Sequence, residues 1–323
     1  MRFRFTPIVK RFSRFANIVI KDFIQKAKNY KQLDKKFNNL ETGYDYAIAY
    51  ISHFNSLKRR NVLFQNRYTV DFGDLKQDVL LSIEKQDESK SKGEFLPDGV
   101  ILDNGDKIPM IRIFVEKMNC KKRGFIRRRF NYIENIRRYI VHETSHLYQF
   151  AKYEAFVDDE IYIGPSEDSK AYILESFLYM FQGEELDATM YEAFHTWNVN
   201  RFKVNLLDIF VTYIAEELNF LERKNYTSKE FFKAVKESEH IGNEIIVNYI
   251  FREYLPKSRF AKYFKKIPGL SLIKNRNYSK VISEMFSTYK KIAECEPIPK
   301  LYANGFKNDY AFSDLLFMLC CNL

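Results

Sequence analysis

Hydrophobic positions between Asn131 and about Ala155 recur at three- and four-residue steps, which predicts an amphipathic helix. These positions are Ile133, Ile136, Ile140, Leu147 and Ala151, with Tyr139 and Phe150 beside them. Neither Gly nor Pro interrupts the stretch. The pattern therefore predicts a buried, rigid helix, which can hold functional side chains in fixed positions.

Two stretches upstream of this helix alternate apolar and polar residues, which predicts β-strands. One is Lys107–Glu116, and the turn signal Asp103-Asn104-Gly105-Asp106 precedes it. The other is Asn61–Phe72, which we expect to pair with the first. The sequence thus predicts a small sheet ahead of the helix.

The region after residue 200 has helical spacing in most of its length. Its predicted helices are Val204–Leu221, Ser228–Ser238, Asn243–Tyr254, Ser279–Ile292 and Tyr310–Cys321. The predicted fold class is α+β and predominantly helical, with a small β-sheet before the central helix and a helical C-terminal region. The predicted organisation is an N-terminal arm over residues 1–38, a core over residues 39–200 and a helical region over residues 201–323.

The predicted central helix contains the motif His142-Glu143-Thr144-Ser145-His146. Four residues make slightly more than one helical turn, so His142 and His146 lie on one face and Glu143 lies about 100° around the axis. The chain has only 5 His in 323 residues, so composition alone does not explain the motif. An H-E-x-x-H pattern on a helix predicts a Zn²⁺ site.

A catalytic zinc needs a third protein ligand. The segment Gly183–Glu192 begins after a helix-breaking Gly and predicts a second helix, in which Glu185 shares a face with Ala188 and Glu192. Glu185 is the leading candidate, because the small Ala188 one turn away would let this helix approach the first one closely. Glu184, Glu192 and Glu175 are competing carboxylates.

The motif His142-Glu143-Thr144-Ser145-His146, followed by Glu185-Leu186-Asp187-Ala188, resembles the gluzincin branch of zinc metallopeptidases over about 60 of the 323 residues. The resemblance implies a zincin-like core that hydrolyses peptide bonds. It also implies Zn²⁺ ligation by His142, His146 and Glu185, with Glu143 as general base. Many gluzincins have Asp four residues after the ligand Glu, where this chain has Thr189.

Peptide hydrolysis also needs a donor that stabilises the developing oxyanion. His195 is the candidate, because it follows Glu185 by ten residues and would lie within about 80° of it if the helix continues. Tyr191 is nearby but further around. The alternative is that His195 is a packed or surface residue of the helix.

The net charge of +10 is concentrated at the N-terminus. Residues 1–38 contain 11 Lys/Arg and 2 Asp/Glu, so this basic, Phe-rich amphipathic arm carries +9 of the total. Three interpretations are open. The arm packs on its own domain, docks on a protein partner or lies on an anionic surface.

Two further segments are strongly charged. Lys117–Arg138 contains 9 Lys/Arg and one acid, but it has no nucleic-acid-binding fold signature, so nucleic acid is a disfavoured partner. Glu154–Glu192 contains 11 acids and one Lys. If that segment lines the cleft, its field favours basic protein or peptide substrates.

The sequence has no run of roughly 18 apolar residues that would predict a membrane span, and no signal-peptide core. Cys120, Cys295, Cys320 and Cys321 form no C-x-x-C pair, so free thiols are expected. The predicted location is cytoplasmic or within a virus particle. The alternative function is a catalytically silent structural or assembly protein, such as a virion component, built on a zincin-like fold.

Overall fold

The computed structural model describes residues 6–37, 40–57, 61–85, 93–101, 105, 107–115, 126–153 and 183–199, and six single positions between 209 and 233. The chain divides into two compact units, Met1–Asp158 and Asp159–Leu323. The predicted boundaries after residues 38 and 200 stay predictions. Glu175, the four cysteines and the predicted helices beyond residue 240 lie outside the described residues.

The described part of the first unit contains four helices and four strands. The helices are α1 (Thr6–Lys28), α2 (Gln32–Lys36), α3 (Gly43–Asn55) and α4 (Ile126–Tyr153). The strands are β1 (Val62–Asp71), β2 (Lys76–Lys85), β3 (Gly93–Ile101) and β4 (Lys107–Val115). In the second unit, helix α5 (Gly183–Val199) includes the predicted second helix.

The four strands form one sheet in the order β1-β2-β4-β3. The central pair, β2 and β4, is parallel, whereas β1 pairs antiparallel with β2 and β3 pairs antiparallel with β4. Gly73 and Gly105 have φ values of 103° and 86°, which few residues other than glycine adopt. Gly73 lies in the connection between β1 and β2, and Gly105 lies in the connection between β3 and β4. Both pairs of strands are antiparallel, so each glycine belongs to the turn of a hairpin.

The predicted strand at Lys107–Glu116 is confirmed as β4, and its upstream turn signal is confirmed by the β3–β4 hairpin. The predicted strand at Asn61–Phe72 is β1, but the prediction that it pairs with β4 is wrong. It pairs with β2, the next strand along the chain. Only four residues separate β1 from β2, and closing such a short loop has a low entropic cost. The alternation of apolar and polar residues predicted neither β2 nor β3.

Helix α1 buries its apolar face against its own unit. Phe12 and Phe23 are fully buried, and their rings meet Phe72 and Phe64 edge to face at centroid distances of 5.8 Å. A fully buried Phe contributes about 1.5–3 kcal/mol. The apolar face of α1 therefore packs on its own unit, as in the first of the three interpretations of the arm.

Helix α4 is the central helix predicted from the periodic pattern. Ile133, Ile136, Ile140 and Leu147 are all buried, as the spacing predicted. Further along, Tyr148 meets Phe12 of α1, and Phe150 packs near Phe95 of β3 at 5.8 Å. Helix α4 is thus fixed from one side by α1 and from another by β3.

Two smaller helical features follow from capping chemistry. Thr42 and Asp45 form a reciprocal capping box at the start of α3. In the second unit, the Thr227 backbone N donates to Glu230 while the Glu230 N donates to Thr227 Oγ1, the same reciprocal pattern. Apart from single helical positions, the predicted helices Val204–Leu221 and Ser228–Ser238 lie outside the described residues. None of the described helices is long and apolar enough to cross a membrane.

A buried histidine lies where α1, α2 and α3 meet. His53 Nε2 lies 3.3 Å from the Tyr30 hydroxyl, and His53 Nδ1 lies 3.1 Å from Lys36 Nζ. Because an ammonium can only donate, Nδ1 accepts and the ring is neutral. Burial, together with the charge of Lys36, lowers the pKa of His53 below its usual value.

We predict that the free energy of unfolding falls as the pH drops below about 6.5, the ordinary His pKa. Because the pKa of His53 is lower in the folded chain, the unfolded chain binds the proton more readily. The contribution of His53 to stability is therefore fully present above that pH and is lost as the pH falls below it. Urea unfolding of wild type and His53→Gln between pH 7.5 and about 5 measures this. The same pH dependence in the variant would assign the loss to other groups.

Candidate metal centre

The two histidines of the motif approach each other through one ring nitrogen each. His142 Nε2 and His146 Nε2 lie 3.3 Å apart, and the ring planes are inclined at 75°. A tetrahedral zinc with Zn–N bonds of about 2.0–2.1 Å holds two ligand nitrogens about 3.3–3.4 Å apart. The spacing of this pair is therefore that of two ligands on one metal.

The other ring nitrogen of His146 has a defined partner. Its Nδ1 lies 2.8 Å from Oε1 of the fully buried Gln149. Because an amide oxygen can only accept, Nδ1 carries the proton and the lone pair lies on Nε2, facing His142. Gln149 thus selects the tautomer that binds a metal and orients the ring.

Two hydroxyl side chains lie between the histidines in the motif, and both donate hydrogen bonds to the backbone of α4. Thr144 Oγ1 donates to the Ile140 carbonyl at 2.5 Å, and Ser145 Oγ donates to the His142 carbonyl at 2.7 Å. Both residues are fully buried. These bonds satisfy the two side chains within the helix and leave the imidazoles as the metal-binding groups of the motif.

One group of described residues could hold a metal ion, and it includes one of the predicted carboxylates. His142, His146 and Glu185 each offer one ligand atom, and the three atoms lie within 4.8 Å of one another. Two imidazoles and one carboxylate are a donor set of catalytic zinc sites. The residues present therefore fit the metal that the motif predicts.

The competing carboxylates are not part of this group. Glu192 is described and buried, yet it is not a member of the metal-ligating group found among the described residues. The Glu184 side chain and the whole of Glu175 lie outside the described part of the chain. His195 is buried in α5 and is not a member of the group either.

Glu143 lies against the first residue of β3. A Cβ atom added to Gly93 would be 2.8 Å from both Cγ and Cδ of Glu143, closer than real Cβ contacts. The φ of Gly93 is not positive, so close approach rather than backbone conformation requires glycine here. The buried Glu143 side chain is thus confined by the backbone of the strand at the edge of the sheet.

An ion network holds that edge strand in register. Arg112 of β4 donates to both carboxylate oxygens of Glu84 on β2 and to Glu94 on β3. Burial of Glu84 opposes its ionisation, but hydrogen bonds from Arg112 and Ser82 outweigh burial and lower its pKa. The network spans three strands and fixes Glu94, the neighbour of Gly93, near the site.

Two residues of this centre, Gln149 and Gly93, were not predicted from the sequence. Gln149 lies three residues after His146 on the same helix, so helical spacing alone could have suggested it. Gly93 lies 50 residues before Glu143, and no local pattern indicates that they meet. Lys152, one turn after Tyr148 on α4, donates to the Tyr148 hydroxyl at 2.5 Å.

Comparisons with models of protein families, with curated proteins and with solved structures found no match to this chain. The likeness to gluzincins therefore rests on the motif residues and on the geometry of the three candidate ligands.

We predict that Gln149→Leu weakens Zn²⁺ affinity by about 10–100-fold, the usual cost of losing the partner of a ligand histidine. Gln149→Glu retains an acceptor for Nδ1 and should keep the affinity close to that of wild type. Competition with a chromophoric chelator measures both, and thermal melting of the metal-free proteins checks folding. Equal affinities for wild type and Gln149→Leu would exclude a role for this bond.

Proposed function

We propose that this protein is a zinc-dependent metallopeptidase that hydrolyses peptide bonds. The observation that carries the proposal is the proximity of one ligand atom each from His142, His146 and Glu185, within 4.8 Å. Support comes from the 3.3 Å spacing of the two Nε2 atoms and from the motif residue Glu143 beside them. The resemblance of the motifs to gluzincins points to the same activity.

Each residue has a chemical role in this proposal. His142, His146 and Glu185 would hold Zn²⁺, and a bound zinc ion would supply a water molecule of lowered pKa and a Lewis acid for the substrate carbonyl. Glu143 is the general base, which accepts a proton from the attacking water and delivers it to the leaving amine. His195 remains the predicted donor to the oxyanion.

The surroundings of Glu143 also support a peptide substrate. Strand β3 pairs only with β4 in the described sheet, so its other edge has no strand partner there. An extended peptide can add to such an edge through backbone hydrogen bonds. Gly93 at the start of β3 would bring that peptide close to Glu143. If the acid-rich segment Glu154–Glu192 lines the cleft, its field favours basic substrates.

We predict that the purified protein binds one Zn²⁺ per chain and that Glu185→Ala loses it. Removing one of three ligands leaves too few donors for a stable catalytic site. Elemental analysis of protein prepared without chelators, for wild type, His142→Ala and Glu185→Ala, measures the metal content.

Glu192→Ala is the matched control, because Glu192 lies on the same helix and outside the ligand group. It should retain zinc. A variant series in which Glu192→Ala loses zinc and Glu185→Ala keeps it would move the third ligand two turns along α5. Wild type without stoichiometric zinc would refute the metal site itself.

We predict that Glu143→Gln keeps zinc and lowers kcat by about 100-fold or more, because it loses only the proton acceptor. Gly93→Ala should also keep zinc and lower kcat, because its methyl group must displace the Glu143 side chain. Cleavage of casein and of a basic peptide library by zinc-loaded proteins measures this.

Gly105→Ala is the control for a strained glycine substitution: its Cβ would meet nothing within 4 Å, whereas its φ of 86° strains alanine, so thermal melting must show that this variant folds. It tests whether a glycine substitution distant from Glu143 affects turnover. Equal rates for wild type and Glu143→Gln would exclude Glu143 as base. Zinc-loaded wild type that cleaves nothing in the library would favour the structural or assembly protein instead.

A further inference from the structure

Four basic side chains form a line along the outer face of α1, which we call the basic stripe: Lys10, Arg14, Lys21 and Lys28. Their spacing of four, seven and seven residues places them within about 40° of one another around a helix of 3.6 residues per turn. The line is about 27 Å long at 1.5 Å per residue. Lys10, Arg14, Lys21 and Lys28 are all exposed.

The apolar face of the same helix explains why the basic stripe points outward. Phe12, Ala16, Val19 and Phe23 are buried, and they lie roughly opposite the stripe on the helical wheel. Packing of that face on the unit therefore fixes the rotation of α1. The charges are held in a row by the fold.

The charge of the basic stripe is not neutralised within the described part of the chain, where none of its four residues forms an ion pair. The single acid of α1, Asp22, lies well to one side and accepts a hydrogen bond from the Tyr68 hydroxyl at 2.9 Å. Arg11, which does pair with Asp71, lies outside the stripe. Four like charges in a row repel one another, and an anionic partner offsets that repulsion.

We propose that the basic stripe binds the surface of an anionic lipid bilayer. The stripe runs along one face of α1, and no aromatic side chain lies within it to stack on the bases of a single-stranded nucleic acid. Each Lys or Arg near an anionic leaflet contributes attraction through the surface potential. The apolar face of α1 is buried in the protein, so the attachment is electrostatic, at the headgroups.

One apolar side chain accompanies the charges. Ile18 is 46% exposed and lies beside the stripe, between Arg14 and Lys21 along the chain. A single exposed apolar residue is common on soluble surfaces. The charges therefore carry the binding, and it should weaken steeply as salt shortens the Debye length from about 10 Å at 0.1 M.

Sedimentation with vesicles tests the proposal on the full chain. The vesicles contain equal parts of phosphatidylcholine and phosphatidylserine, and vesicles of phosphatidylcholine alone are the lipid control. Wild type should bind the anionic vesicles at low salt and not the neutral ones. The fourfold variant Lys10→Gln, Arg14→Gln, Lys21→Gln, Lys28→Gln should bind about 100-fold or more weakly.

A second fourfold variant removes the same charge elsewhere: Lys76→Gln, Lys107→Gln, Lys229→Gln, Lys233→Gln. All four of these lysines are exposed. This control should keep most of the binding, and an equal loss in both variants would overturn the stripe in favour of net charge. Exchanging Lys for Arg and Arg for Lys within the stripe should also preserve binding.

Duplex DNA and single-stranded RNA form the last arm of the experiment. Wild type that binds either nucleic acid and no anionic vesicle would overturn the bilayer assignment, as would wild type that binds nothing. Because the stripe residues are exposed, the variants should fold, and thermal melting verifies it. The zinc content and proteolysis of these variants should be unchanged, so this test is independent of the proposed catalytic function.

Discussion

Burial of α4 is the constraint on which the candidate centre depends. One face of this helix is packed from Ile133 to Leu147, and residues 143–149 are all buried. A helix held in this way cannot rotate, so the two imidazoles one turn apart meet at 3.3 Å without a loop having to be ordered. Gln149 completes the arrangement from the same helix by setting the tautomer of His146.

Packing around α4 also positions the proposed base. Phe95 of β3 packs near Phe150 at one point of the strand, while Gly93 meets Glu143 at another. The absence of a side chain at Gly93 lets the strand approach the helix closely. Arg112 fixes the same strand through Glu84 and Glu94, so the charge network and the glycine act on one edge of the sheet.

Basic and acidic residues are concentrated in different segments of the sequence. The basic side chains of α1 are exposed because the apolar side chains of that helix are needed in the core. The acids of Glu154–Glu192 are concentrated in the segment that ends in the first turns of α5 and includes Glu185. A basic peptide and an anionic bilayer would therefore be attracted to different parts of the chain.

The sequence by itself determined the features that depend on near neighbours in the chain. Helical periodicity located α4, and the spacing of His142 and His146 within it was enough to predict that their side chains meet. A turn signal located the β3–β4 hairpin. Glu185 was identified by its position on a predicted helix and by a motif resemblance, although composition could not distinguish it from Glu184, Glu192 or Glu175.

Only the tertiary structure decided which distant residues meet. The sheet order depends on β2 lying between β1 and β4, and alternation within single strands contains no information about their neighbours. The contact of Gly93 with Glu143 joins residues 50 positions apart, which local periodicity cannot encode. The role of α1 was likewise open in the sequence, because an amphipathic basic helix suits a core, a partner or a membrane until packing buries one face.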